Sequence, residues 1–274
     1  MSAPLLATRA VRAGIDRDSA FGAVVPPLVL SSNFSFEGFK RKRRYDYTRS
    51  GNPTRDQFAA ALADLEGGHD CVVTATGMAA IALVLHLLEP GDTLLAAHDC
   101  YGGSWRLFDA LARKGQFVLR LVDMTDADAV DAALRERPKL VWIETPSNPL
   151  LRITDLARTC AAARAAAALV AVDNTFLSPA LQNPIAFGAD VVVHSTTKYI
   201  NGHSDVVGGA VVSADPALHE ALAWWANALG LTGSPFDSFL ALRGLRTLDA
   251  RLRVHQENAL ALAERAHAHG SVAQ

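Results

Sequence analysis

From residue 54 to residue 214 the chain repeats one pattern, an apolar run, a polar turn and a helical stretch, in units of about 25 to 30 residues. The runs "CVVTATG", "DTLLAA", "QFVLRLV", "KLVWIE", "LVAVD" and "DVVVHS" scarcely alternate apolar with polar residues. A strand with one wet face alternates, whereas a strand covered on both faces does not. Between the runs lie "MAAIALVLHLLEPG", "SWRLFDALARKG", "TDADAVDAALRERP" and "ITDLARTCAAARAAAA", each long enough to carry the chain back over a sheet. The pattern predicts an α/β domain with a mainly parallel sheet, helices on both faces and right-handed crossovers. "DVVGGAVVSA", 205–214, follows its predecessor too closely for such a crossover and is expected to return antiparallel.

The flanks break the rhythm. "NPTRDQFAAALADLEGG" reads as a helix with Thr54 as N-cap, Gln57 at N3, Phe58, Leu62 and Leu65 on one face, and a stop at Gly67 and Gly68. Residues 1–50 look like an extended arm with isolated apolar anchors, suited to wrapping a neighbour. Residues 51–235 hold the α/β pattern, and 236–274 read as a long linking helix whose Leu248, Leu252, Ala259, Leu262 and Ala266 share a face in need of a partner.

Composition removes several classes. With 26 basic and 28 acidic residues, a net charge of -2 and 50% hydrophobic residues, the chain has the balance of a globular protein and no basic excess for nucleic acid or an anionic membrane. "KRKRR", 40–44, reads as a solvated loop or subunit edge. Cys71, Cys100 and Cys160 lack CxxC spacing, so neither a disulfide framework nor a metal site is expected. The N-terminus has no secretory apolar core and no window reaches spanning length, which together point to the cytoplasm.

Ligands of an open parallel sheet sit beyond the carboxyl ends of its strands. That rule selects "TATGM", "HDCYGG", "ETPSNP", "AVDNTF" and "HSTTKY". Gly77 and Met78 open a helix whose free amides would accept a phosphate, and Ser195 and Thr197 could bond the same group. There is no GxxxxGK[ST] run and no GxGxxG fingerprint, which disfavours nucleoside triphosphates and dinucleotides. Asp173 could cap a turn with Asn174, or pair with a cationic nitrogen. Tyr101 offers a ring for stacking, with Gly102 and Gly103 allowing close approach, and Asn148 an amide for a ring oxygen. Lys198 is either a solvent-facing residue at a strand end or a covalent anchor. A planar heterocycle carrying a phosphate, a ring nitrogen and an aldehyde accounts for all these positions together, and pyridoxal phosphate, held by Lys198 as a Schiff base, has those features.

The stretches "YDYTRSGNPTRD", "ATGMAAI", "HDCYGGSWRLFD", "ETPSNPLLRI", "VDNTFLSPALQNP", "HSTTKYINGHSDVVGG", "WWANALGLTGSPFDSFLALRGLRTL" and "RVHQENA" resemble the Cys/Met-metabolism family of pyridoxal-phosphate enzymes, of fold type I. The resemblance implies a seven-stranded-type sheet, Lys198 as the cofactor lysine, Asp173 as partner of the pyridine nitrogen and Tyr101 stacked on the ring. It places the phosphate on Gly77, Met78, Ser195 and Thr197. It also implies that Tyr47 and Arg49 reach the phosphate in a neighbouring subunit, so that a homo-oligomer, a dimer or a tetramer of two dimers, shares its sites. A smaller C-terminal domain carrying the substrate-carboxylate arginine is expected in such enzymes, and no residue here is assigned that role. The implied chemistry is γ-replacement, joining O-succinylhomoserine and cysteine into cystathionine in methionine biosynthesis, with burial and a nearby cofactor cation favouring neutral Lys198. Lyases and sulfhydrylases of the same family, and a catalytically silent cofactor-binding or structural protein, remain as alternatives.

Overall fold

Seven strands form one sheet in the order β1-β7-β6-β5-β4-β2-β3, and only β7 runs against the others. The computed structural model describes residues 4–18 and 20–272. Its elements are α1 (Leu6–Val11), α2 (Pro53–Glu66), β1 (Asp70–Thr74), α3 (Gly77–Leu85), β2 (Thr93–Ala97), α4 (Gly102–Arg113), β3 (Val118–Val122), α5 (Ala127–Leu134) and β4 (Leu140–Glu144). There follow α6 (Leu156–Ala165), β5 (Leu169–Asp173), α7 (Ser178–Leu181), β6 (Val191–Ser195), β7 (Gly209–Ser213), α8 (Pro216–Leu229), α9 (Pro235–Leu245) and α10 (Leu248–His267). The antiparallel return expected for 205–214 is β7, wedged between β1 and β6.

Both faces of the sheet are covered along β4 to β7, as the unbroken apolar runs require, but the run "QFVLRLV" forms the edge strand β3, where Val118 and Leu121 are exposed. Along β6 and β7 the side chains divide: Val191, Val193 and Val211 join a core with α3, α4, α6 and α8, while Val192, Ala210 and Val212 join a second with α1, α2, α9 and α10. The period-2 alternation of strands thus feeds two cores from one run of valines. In the first core Trp142 and Phe108 meet edge to face at 5.4 Å.

The helix at residue 54 forms, but its start differs from the sequence reading. Asn52 is the N-cap of α2, its Oδ1 accepting from Thr54 N at 2.9 Å and Arg55 N at 3.3 Å, with Pro53 in the first turn. Thr54 is instead turned toward the arm, where its hydroxyl accepts from Val29 N at 2.9 Å and donates to the Pro27 carbonyl at 3.2 Å. The arm itself is not wholly extended, since α1 packs Ala10 into the second core. The expected single C-terminal helix is two helices, broken at Arg246 and Thr247. On α10 only Leu248 and Leu252 of the predicted stripe are buried; Ala259, Leu262 and Ala266 are exposed.

Asn52 joins a helix start to the arm, because its Nδ2 also donates to the Val29 carbonyl at 3.1 Å. Asn52→Ala is expected to destabilise the fold by about 1–2 kcal/mol through loss of the cap and that tie. Asn52→Asp, which keeps the accepting oxygen, should lose less; urea unfolding of the two variants checks the order.

Candidate active site

Every strand except β7 ends on the same edge of the sheet, and the segments leaving β1, β2, β4, β5 and β6 surround a cavity of about 380 Å3. Gly77, Met78, Tyr101, Asn148, Asp173, Ser195, Thr197 and Lys198 all line it. Eight residues scattered over more than a hundred positions of sequence are therefore brought together by topology. A wider opening of about 810 Å3 adjoins it and shares Asn148, Thr175, Phe176, Thr197, Lys198 and Val207, while adding Tyr199 and His255.

At the β1 end, Thr76 caps α3 by accepting from Ala79 N at 2.9 Å, and Ala80 N goes to the Thr76 carbonyl. Among the described residues this leaves the amides of Gly77 and Met78 facing the cavity at a helix N-terminus. Glycine is required there: a Cβ at Gly77 would stand 2.7 Å from Ser195 Cβ and 2.9 Å from Ser195 Oγ. The helix start and the β6 end therefore form one concave, hydroxyl-bearing cradle suited to an oxyanion such as phosphate. Of the two expected hydroxyls, Thr197 is already engaged with Gly208, accepting from its N at 3.0 Å and donating to its carbonyl at 3.2 Å.

Tyr101 is the N-cap residue of α4 and is half exposed into the cavity. A Cβ at Gly103 would overlap its ring, whereas one at Gly102 would meet nothing, so only the second of the two glycines makes room for Tyr101. Lys198 is exposed, contrary to the expected burial, and the space it faces is the cavity.

Asp173 closes β5, with Oδ1 accepting from Thr175 N at 3.0 Å, and burial pushes its carboxyl above the ordinary value. The turn reading holds for Asp173 alone. Asn174 is committed elsewhere, its Nδ2 donating to Glu66 Oε1 at 2.8 Å, where His194 Nε2 also binds at 2.6 Å.

Sequence reasoning passed over two residues. Thr175 Oγ1 accepts from Ser195 N at 2.8 Å and so links the β5 and β6 ends. Glu144 closes β4 directly opposite Asp173, is 6% exposed, and accepts from Tyr101 N and Asn148 N, both at 2.8 Å. Burial, reinforced by Asp173, pushes the Glu144 carboxyl up to about 7. A carboxylate ending a buried apolar run was the available signal.

Tyr47 and Arg49 do not line this cavity. Arg49 donates through Nε to Asn227 Oδ1 at 3.1 Å and lies over the Tyr47 ring at 5.4 Å. Their backbone is held by Arg55, a buried guanidinium that donates to the carbonyls of Thr48 at 2.5 Å, Arg49 at 3.4 Å and Gly233 at 3.2 Å.

An open sheet ending in a lysine, a carboxylate, an aromatic ring and a helix-capped cradle is the arrangement of a fold type I pyridoxal-phosphate enzyme. The chain belongs to the family described as Cys/Met metabolism PLP-dependent enzyme, whose pattern matches residues 7–274. It is 58% identical over 257 residues to the cystathionine gamma-synthase of Escherichia coli (strain K12), covering 93% of this chain and 67% of that protein. Among solved structures it is similar to cystathionine gamma synthase from Xanthomonas oryzae pv. oryzae in complex with cystathionine, with 69% identity and a TM-score of 0.98 over 100% of this chain and 71% of that one. Cystathionine gamma-lyase from Lactobacillus plantarum complexed with L-serine matches at 38% identity and a TM-score of 0.95, over 99% of this chain and 71% of that one. Among the described residues no helix is long and apolar enough to cross a membrane.

Glu144 and Asp173 give the cofactor-free protein a pH signature. Both carboxyls are raised by folding, so the stability each contributes is fully present below its ordinary value and is lost as pH rises through the folded one. For Glu144 that window runs from 4.5 to about 7. Stability of the cofactor-free chain is expected to decline between about pH 4.5 and about pH 7. Asp173→Asn removes the like charge beside Glu144 and should flatten that decline; denaturant unfolding across the range measures both slopes.

Proposed function

We propose that this chain carries out γ-replacement, forming cystathionine and succinate from O-succinyl-L-homoserine and L-cysteine. The observation that carries the reading is the convergence of Lys198, Asp173, Tyr101 and the Gly77 cradle on one cavity, in a chain 58% identical to a cystathionine gamma-synthase. Residues 51–235 serve as the cofactor domain and residues 1–50 as an arm toward a neighbouring subunit, while α9 and the start of α10 complete the second core and the rest of 236–274 reads as a linking helix.

Pyridoxal phosphate, when bound, supplies the electron sink for charge developing on the substrate carbons. Lys198 Nζ would hold it covalently, and its amine would move protons at the substrate Cα and Cβ. Asp173 would keep the pyridine nitrogen protonated through an ion pair in a poorly solvated site. Tyr101 covers one ring face and excludes water, and Asn148 donates to the ring oxygen. The amides of Gly77 and Met78, with Ser195 and Thr197, fix the phosphate. In the net reaction the Cγ–O bond breaks with its electron pair leaving on succinate, the cysteine sulfur forms the new bond at Cγ, and the thiol proton is released; Lys198 would carry the protons exchanged at Cα and Cβ.

Borohydride treatment of the loaded protein followed by peptide mapping is expected to place the cofactor mass on Lys198, and labelling of Lys139 or another lysine would overturn the assignment. Lys198→Ala should lower succinate release about a thousandfold or more. Succinate release that needs no cysteine, with ammonia as co-product, would favour the lyase reading.

Tyr47 and Arg49 are assigned to the phosphate of a second protomer, in a dimer or a tetramer of two dimers. The support is that both stand outside their own cavity while Arg55 fixes their backbone. An arginine fork suits phosphate across an interface. Mixing inactive Arg49→Ala and Lys198→Ala homodimers under subunit exchange is expected to restore part of the activity, because one of the two sites escapes both defects. No recovery after verified exchange would assign Arg49 to its own subunit.

A further inference from the structure

Tyr101 and Asn148 leave different strands, β2 and β4, and flank the cavity on segments 43 and 4 residues away from Glu144. Each offers its backbone N–H to a different oxygen of that one carboxylate, at 2.8 Å in both cases. Glu144 lines the cavity, yet its two oxygens are taken up by these amides, so it is poorly placed to serve as a second partner for a ligand cation. Its backbone is locked in the sheet opposite Asp173. We propose that Glu144 is a positioning residue, a buried two-oxygen clamp that fixes the ring-covering Tyr101 and the ring-edge Asn148 relative to Asp173 and so sets where the cofactor ring lies.

The geometry favours this over simple loop anchoring. Ser147 Oγ already ties the same two segments by donating to Asp99 Oδ2 at 2.7 Å, so the loops do not depend on Glu144 for being joined. What Glu144 adds is a bond at each of the two residues that face the cavity, from an oxygen pair rigidly referenced to the Asp173 strand. A carboxylate is needed for both bonds: glutamine would present one oxygen and one NH2, and the NH2 would confront a backbone N–H. The helix holds Tyr101 only through its carbonyl, which accepts from Trp105 N at 3.0 Å; as the N-cap residue of α4 it has no intrahelical acceptor for its own N–H, which goes to Glu144 instead.

This inference rests on the cofactor roles given to Tyr101 and Asn148 above, and the test separates the two. In the wild-type protein without cofactor, hydrogen exchange read by fragmentation should show the Tyr101 and Asn148 amides protected; rapid exchange at both would overturn the clamp even if Glu144 variants fail to fold. For Glu144→Gln loaded with pyridoxal phosphate, the visible circular dichroism of the bound cofactor should change and its release should accelerate roughly tenfold to a hundredfold, the scale for loss of a hydrogen bond to a charged group. The unfolding midpoint of the cofactor-free variant should move little by comparison. Because the effect runs through Tyr101, adding Glu144→Gln to Tyr101→Ala should accelerate release by much less than it does in the wild type. Unchanged dichroism and release in Glu144→Gln, or full additivity with Tyr101→Ala, would overturn the proposal. Wild-type protein that takes up no cofactor on Lys198 while both amides stay protected would instead overturn the cofactor reading of the site.

Discussion

Covering the middle of a sheet on both faces removes water from everything there except the strand ends, and the rest of this molecule follows from that; only the edge strand β3 keeps exposed side chains. Backbone groups within β1 to β7 satisfy one another across the ladder, and the side chains between are Val, Leu, Ile and Ala packed into two cores. A polar side chain inside such a layer is desolvated and needs a buried partner, as His194 of β6 has in Glu66. Chemistry is therefore confined to residues that follow the last apolar position of each strand. Because six of the seven strands point the same way, those positions fall on one edge. The reversed β7 sits where it keeps this intact: Gly209 starts it opposite both Thr74 and Ser195, so β1 and β6 deliver their ends side by side although they do not touch.

This explains which parts of the site could be read from the sequence. Gly77, Tyr101, Asp173 and Lys198 each stand just past an apolar run, and a rule about strand ends finds them without knowing strand order. Glu144 escaped because it ends the run "KLVWIE" and looks like its terminus, while its significance depends on a register with Asp173 and on amides from a distant loop. Registers and cross-strand neighbours are tertiary facts that one chain's pattern does not encode. The start of α2 was misplaced for a local reason: Thr54 and Gln57 imitate a capping box, but Pro53 is better used in the first turn, which moves the cap back to Asn52. Thr54 then becomes free to bind the arm. The break between α9 and α10 was hidden because apolar spacing continues across Arg246 and Thr247.

The arm illustrates how a segment with little core of its own is ordered. Its apolar anchors are sparse, and several large side chains, Phe21 and Phe39 among them, stand about nine-tenths exposed. Order near the site comes instead from polar ties to α2. Asn52 and Thr54 hold residues 27 to 29, while Arg55 spends its fork on carbonyls of Thr48, Arg49 and Gly233. Burial lowers the pKa of this guanidinium, which no carboxylate contacts directly, so the carbonyl dipoles carry most of the compensation. One turn of helix thus fixes two stretches of the arm, which is why the "YDYTRSGNPTRD" segment behaves as a unit.

Charge balance at the cavity ties these features to the chemistry. Lys198 is the only cationic side chain among the cavity-lining residues, and Asp173 and Glu144 stand side by side on adjacent strands as its only carboxylates. Both are raised by burial, and Glu144 also by its neighbour, because no fixed cation sits between them. The scaffold thereby holds negative charge in a place where the folded protein by itself gains nothing from it. Such frustration is common where a site is shaped for a ligand and the ligand supplies the missing partner. Under the proposed function a protonated ring nitrogen against Asp173 would supply that charge, while the amides of Tyr101 and Asn148 keep Glu144 occupied. Two neighbouring carboxylates thus take different tasks through their hydrogen-bond partners: one is left to face a cation, and the other is spent on the backbone that frames it.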